Sequence, residues 1–319
     1  MNGFANLTAL YCSAIRGNRK GTMQTAEKAI ERESGSATIP FTVAPWVQEI
    51  LRDPLSKSVL RVEGDWLVSD YGRRYPIRDG VYDLRLLTTN CGRLSQAWAE
   101  GQTEYERLSN RIASRQIENY EEQRRGLEDV YQEVPIIGRC LDVGGNDGRL
   151  RAFLAEGQEY VSVDPFINIF KEPRPREFWD VYRVRRQPLN FVGAIAEHLP
   201  FDSRCFDTVH MRSVLDHFSS PELALREAFR VLKPGGNVVI GLLVKGGRTG
   251  RDGSFTVSKE IIRAALVAVR FNSVRDHHIW HPTYNDLCAL VEASGFVLSK
   301  THWQKSEHHR VCYVKALKV

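Results

Sequence analysis

Leu141-Asp142-Val143-Gly144-Gly145-Asn146-Asp147-Gly148-Arg149-Leu150 is the stretch on which the fold turns. An apolar run meets glycines at 144, 145 and 148, where a strand that bends tightly into a helix needs residues without Cβ atoms and a ligand can approach the backbone. Alone, such a turn is equally an ordinary strand-to-helix loop. The next apolar run, Tyr160-Val161-Ser162-Val163, ends at Asp164-Pro165. In a parallel pair, that carboxylate lies beside the glycine turn at the carboxyl edge of the sheet, where it can accept from both hydroxyls of a ribose. The glycine spacing is GGxxG. A dinucleotide would favour GxGxxG, which lays a pyrophosphate on the helix N-terminus.

Outward from this point the pattern alternates strand and helix. Strand-like runs recur at Cys140–Val143, Tyr160–Val163, Phe206–His210 and Val238–Leu243, and such alternation predicts a parallel sheet covered by helices. Phe296–Leu298 and Val311–Val314 are close enough in sequence to pair as a terminal antiparallel unit. On the other side, Val59–Val62, Gly64-Asp65 and Trp66–Val68 form a hairpin signal, and Arg78-Asp79-Gly80-Val81 a second turn. Between them, 95–132 is rich in Glu, Gln and Arg, with apolar positions at helical spacing. The expected organisation is a mobile arm over 1–44, a small mostly-β module over 45–90, a helical segment over 91–136 and an α/β domain over 137–319. Met23 offers an alternative start to Met1.

The 319 residues are 42% hydrophobic, enough for a full core. A net charge of +5 is too small and too dispersed to imply nucleic acid by itself. The cysteines at 12, 91, 140, 205, 288 and 312 form no CxxC pair. Those at 140, 205 and 312 sit in apolar runs, as buried thiols in a reducing compartment would. No leader and no membrane-length apolar run are evident, so a cytoplasmic location is expected.

Four separated stretches, LDVGGNDG, VSVDP, AEHLPFDSRCFDTV and EAFRVLKPGG, resemble the class I S-adenosylmethionine-dependent methyltransferases of the type 11 kind. The resemblance implies a Rossmann-like sheet with helices on both faces, an enzyme, and S-adenosylmethionine as cofactor. It places the methionine part of the cofactor on Asp142, Gly144, Gly145 and Gly148, the ribose on Asp164, and the adenine on Ala196 and Glu197. Two positions depart from the family pattern. Asn146 replaces a central glycine, a mild change because Asn tolerates positive φ. Ile195 replaces an acid that often meets the adenine amine. Leu51–Ser56 and Tyr75–Val81 resemble the small zinc-ribbon-like domains that activate tRNA and protein methyltransferases, here without their cysteines.

Methyl transfer from a sulfonium requires alignment and exclusion of water, and a hydroxyl acceptor also requires a base. Asp216 and His217 follow the fourth strand, and a histidine is the residue type that suits such a base; His217 can equally cap the next helix. The run 276–284 contains His277, His278 and His281 and reads as a lid. No carboxylate and histidine spacing matches a metal site, so none is expected. Basic inserts at 171–188 and 245–252 could grip a phosphorylated acceptor, or simply be solvated loops. The leading expectation is a small-molecule or sugar-linked acceptor, methylated at oxygen. RNA or protein is the alternative, and a catalytically silent cofactor-binding regulator the reading from another class.

Overall fold

The computed structural model describes residues 41–86, 120–167, 183–250 and 278–319. The arm before 41 and most of the expected helical segment lie outside these residues, as do 171–182 of the first insert, the end of the second, and His277.

The described elements are β1 (Phe41–Thr42), α1 (Pro45–Ile50), β2 (Leu60–Glu63), β3 (Trp66–Ser69), β4 (Arg74–Arg78), β5 (Val81–Asp83), α2 (Tyr120–Glu133), β6 (Cys140–Val143), β7 (Tyr160–Asp164), β8 (Leu189–Gly193), β9 (Phe206–Arg212), α3 (Pro221–Val231), β10 (Leu232–Leu243), α4 (Tyr284–Ala293), β11 (Val297–Trp303) and β12 (Val311–Leu317). One sheet runs β11-β12-β10-β9-β6-β7-β8-β5-β4-β3-β2, and β1 also pairs with β8. Its centre, from β10 to β8, is parallel. β11 and β12 close one side as the antiparallel pair expected from the sequence. β8 was not among the expected strands: Asn190 interrupts its short apolar run and hydrogen-bonds the Tyr160 carbonyl.

Strand alternation divides the core between the two faces of the sheet. Leu141, Val143, Val161, Val163, Val192 and Ile240 point to one face, and α3 covers it with Ala224, Leu225, Ala228 and Val231, while α4 adds Leu287 and Val291. Cys140, Tyr160, Phe191, Val239 and Tyr313 point to the other, covered by Val130, Tyr131 and Val134 of α2. Both covering sets recur at helical spacing, so each helix buries one stripe. Ser220 caps α3 by accepting from the Leu223 N–H, and Thr283 and Asp286 form a capping box on α4.

The N-terminal module is a meander whose turns obey their residues. Glu63 pairs with Trp66 across Gly64-Asp65, and Arg78 with Val81 across Asp79-Gly80, where both turn residues have positive φ. Asp53 is fully buried and accepts from the Leu55 and Ser56 N–H groups, Arg73 and the Tyr75 hydroxyl, tying the loops together. The module does not stand apart from the main sheet. Tyr82 and Asp83 of β5 pair with Val192 and Gly193 of β8, beside the β1 residues on Leu189 and Asn190.

Cys140, Cys205 and Cys312 are buried, and desolvation pushes the thiols of Cys205 and Cys312 up to about 12. Among the described residues no helix is long and apolar enough to cross a membrane.

Candidate cofactor and acceptor site

The chain leaves β6 for β7 and β8 on one side, then returns to lay β9 and β10 on the other, so the carboxyl end of β6 is the switch point of the sheet. Crevices at such points bind ligands. The glycine turn sits there. The Gly144 N–H donates to the Val163 carbonyl at 2.7 Å, and Gly144, Asn146 and Gly148 have φ values of 69°, 48° and 77°. Asn146 thus takes the left-handed conformation that a glycine would otherwise supply. A Cβ on Gly144 would lie 2.4 Å from Val214 of the loop after β9, so the two loops meet at van der Waals distance only because residue 144 has no side chain. The expected helix after the turn is a short 3-10 segment, Arg149–Phe153.

Asp164 ends β7 beside this turn. Its Oδ2 accepts from the Asn146 N–H at 3.1 Å and its Oδ1 from the Phe166 N–H at 2.9 Å. Burial pushes its carboxyl up to about 7 against those two backbone bonds, helped by the negative charges of Asp142 and Asp147. A second shift lies at the start of the same strand: burial, together with the charge of Asp142, which is 3% exposed beneath the loop, raises the Tyr160 hydroxyl well above its ordinary value.

Asp142 is held from below. Tyr160 donates its hydroxyl to Oδ2 at 2.7 Å, and His210, its register partner on β9, meets Oδ1 through Nδ1 at 2.7 Å. A carboxylate only accepts, so Nδ1 carries the proton and Nε2 accepts from the Tyr131 hydroxyl, 3.0 Å away on α2. Ser162 donates to the Asn146 carbonyl at 3.1 Å. The sequence reading missed Tyr131, Tyr160, Ser162 and His210. The only signal was that Asp142, Ser162 and His210 occupy corresponding places on neighbouring strands, which requires the register to be known.

Ala196 and Glu197 lie in the 3-10 turn Ala196–His198 after β8, both buried. Glu197 accepts at Oε1 from the Ser219 N–H, the Ser219 hydroxyl and the Ser220 N–H, anchoring the approach to α3.

Asp216 and His217 occupy the 3-10 turn after β9, next to Val214 and hence beside the glycine turn. The Asp216 carbonyl accepts from the N–H groups of Ile279 and Trp280, at 2.8 and 3.3 Å, and this brings His278 over the site from far along the chain. His217 Nε2 lies 3.8 Å from Asp216 Oδ1 and His278 Nε2 3.6 Å from Oδ2, and the two imidazoles stack with centroids 4.4 Å apart.

Residues 141–240 match the family model described as "Methyltransferase domain". Over these residues the chain is similar to methyltransferase domains. The match begins at the glycine stretch and ends within β10, so it contains every strand that borders the crevice except the flanking module and the C-terminal pair. The mitochondrial 2-methoxy-6-polyprenyl-1,4-benzoquinol methylase of Caenorhabditis elegans is 32% identical over 114 residues, 34% of this chain and 39% of that protein. The tRNA U34 carboxymethyltransferase of Methylococcus capsulatus is 28% identical over 209 residues, 61% of this chain and 55% of that protein. A SAM-dependent methyltransferase of Thermotoga maritima shares 19% identity over 67% of this chain and 98% of its own, with a TM-score of 0.47. The chain spans 39% to 55% of the length of the curated relatives named here.

The methyltransferase domain implies S-adenosylmethionine as methyl donor, and the residues present fit it. Asp164 is a buried carboxylate bonded by backbone N–H groups alone, and each oxygen retains a lone-pair site for a ribose hydroxyl.

Proposed function

We propose that the chain transfers a methyl group from S-adenosylmethionine to an oxygen of a small-molecule or sugar-containing acceptor. The observation that carries this reading is the placement of Asp164 and the Gly144–Gly148 turn at the switch point of the sheet, with Asp216 and His217 on the adjoining loop. When bound, the cofactor supplies an electrophilic methyl on a sulfonium. Asp164 holds the ribose through both carboxylate oxygens. The glycine turn, held from beneath by Ser162, presents its backbone to the methionine part, and Ala196 and Glu197 border the adenine. His217 takes the acceptor's proton, and Asp216 stabilises the imidazolium that results. The 278–281 segment, pinned to the Asp216 carbonyl, shields this end from water.

A second reading has specific support. Relatives named demethylmenaquinone methyltransferase and 2-methoxy-6-polyprenyl-1,4-benzoquinol methylase each match 34% of the chain. In a hydroquinone the methyl acceptor would be a ring carbon activated by loss of a phenolic proton, so the same base serves.

Calorimetric titration with S-adenosylmethionine and S-adenosylhomocysteine, beside Asp164→Ala, tests the cofactor. Saturable binding abolished by the substitution supports the reading, and no binding to the unaltered chain overturns it. Sugar, hydroquinone and RNA acceptors assayed with labelled methyl donor then separate oxygen from carbon transfer and from nucleic-acid substrates.

A further inference from the structure

Asp216 is 8% exposed, and its Oδ1 makes no hydrogen bond. A buried carboxylate oxygen without a donor is costly, so something positive belongs beside it. Two imidazole Nε2 atoms face it, His217 at 3.8 Å from Oδ1 and His278 at 3.6 Å from Oδ2. Neither closes to the 2.7–3.2 Å of a hydrogen bond. Three donor atoms, one from each residue, lie within 4.8 Å of one another. Donors sharing an ion at about 2.1 Å stand roughly 3 to 3.5 Å apart, so seating one requires the widest pair of this set, now within 4.8 Å, to close by about an ångström through side-chain rotation.

The backbone holds this arrangement. Ile279 and Trp280 donate to the Asp216 carbonyl, which fixes His278, and Lys245 donates to the Pro282 carbonyl at 2.8 Å on the other flank of the same turn. His281 stands next in line, its ring centroid 5.6 Å from that of His278.

We infer that Asp216, His217 and His278 form a binding site for one first-row divalent cation at the acceptor end of the domain. Two imidazoles and one carboxylate suit Zn²⁺, Co²⁺ or Fe²⁺ better than the hard, oxygen-preferring Mg²⁺ or Ca²⁺. Three protein donors leave coordination positions open, which fits an ion that receives an acceptor's oxygen and lowers its pKa. In the loaded protein His217 is then a ligand, and the ion takes over activation of the acceptor. The spacing of these residues in the sequence hid the site: Asp216 and His278 are brought together only by the two backbone bonds.

The test uses the full chain freed of metal by a chelator and titrated with Co²⁺ alone, followed by visible absorption and by calorimetry, with Zn²⁺ as competitor. The expected result is one saturable equivalent with ligand-field bands, displaced by Zn²⁺ and weakened at least about tenfold by His278→Ala and by Asp216→Asn. His302→Ala, remote from the cluster, should leave it unchanged. Absence of saturable binding overturns the proposal, as does binding insensitive to His278→Ala. If Asp216→Asn does not fold, the exposed His278 decides alone. Cofactor titration of the same samples is a separate readout, so failure of metal uptake and failure of the transfer reading are distinguishable.

Discussion

The two ends of the crevice are built differently. At the donor end every acid is bonded: Asp142 by Tyr160 and His210, Asp164 by Asn146 and Phe166. At the acceptor end the imidazoles of His217 and His278 stand 3.8 and 3.6 Å from the two carboxylate oxygens of Asp216. A sheet with fixed register can preorganise the first, because neighbouring strands deliver partners to the same height. The second is assembled from a loop and a returning segment joined by backbone hydrogen bonds. One end thus suits a ligand that never changes, and the other a ligand that fixes specificity.

Substitutions should separate the ends. Asp164→Ala removes an acceptor of two ribose hydroxyls and should weaken S-adenosylmethionine roughly 1,000-fold by calorimetry, since bonds to a charged group are worth about 1.5–3 kcal/mol each. His217→Ala should cut turnover about 100-fold while cofactor affinity stays within about threefold; equal losses in both would erase the contrast.

Acid should act at the donor end first. The Asp164 carboxyl titrates near 7 in the cofactor-free chain, and only its ionised form accepts both hydroxyls. Affinity is therefore full above that pH and should fall by about tenfold per unit below it. Stability should move the other way. Because the folded value lies above the ordinary 3.8, the cofactor-free fold gains stability as pH falls from about 7 toward that value. Asp164→Asn should flatten both trends.

The smallest effect concerns the support beneath the turn. Tyr160→Phe leaves Asp142 with His210 alone and should cost about 1–3 kcal/mol in denaturant unfolding, with a several-fold loss of cofactor affinity. A loss confined to stability would show that the turn needs no hydroxyl under it.

The donor end was legible because its residues are consecutive. The run from Leu141 to Leu150 encodes strand, turn and left-handed Asn146 in one window, and Asp164 closes the next strand. Strands with continuous apolar runs were equally readable, whereas β8, interrupted by Asn190, was not. What stayed hidden depends on register or return of the chain. His210 reaches Asp142 because β9 lies beside β6, and His278 reaches Asp216 through two backbone hydrogen bonds. No local pattern records either. The turn residues of the N-terminal segment gave its hairpins but not its attachment to β8.

That attachment bears on how the polypeptide avoids self-association. β1 and β5 together occupy the outer side of β8 along Leu189–Gly193. A chain begun at 137 would leave those backbone groups as a bare, apolar parallel border, a template for another copy's strand. The leading segment covers that border, and trimming it to a minimal catalytic fragment should yield oligomers and precipitate.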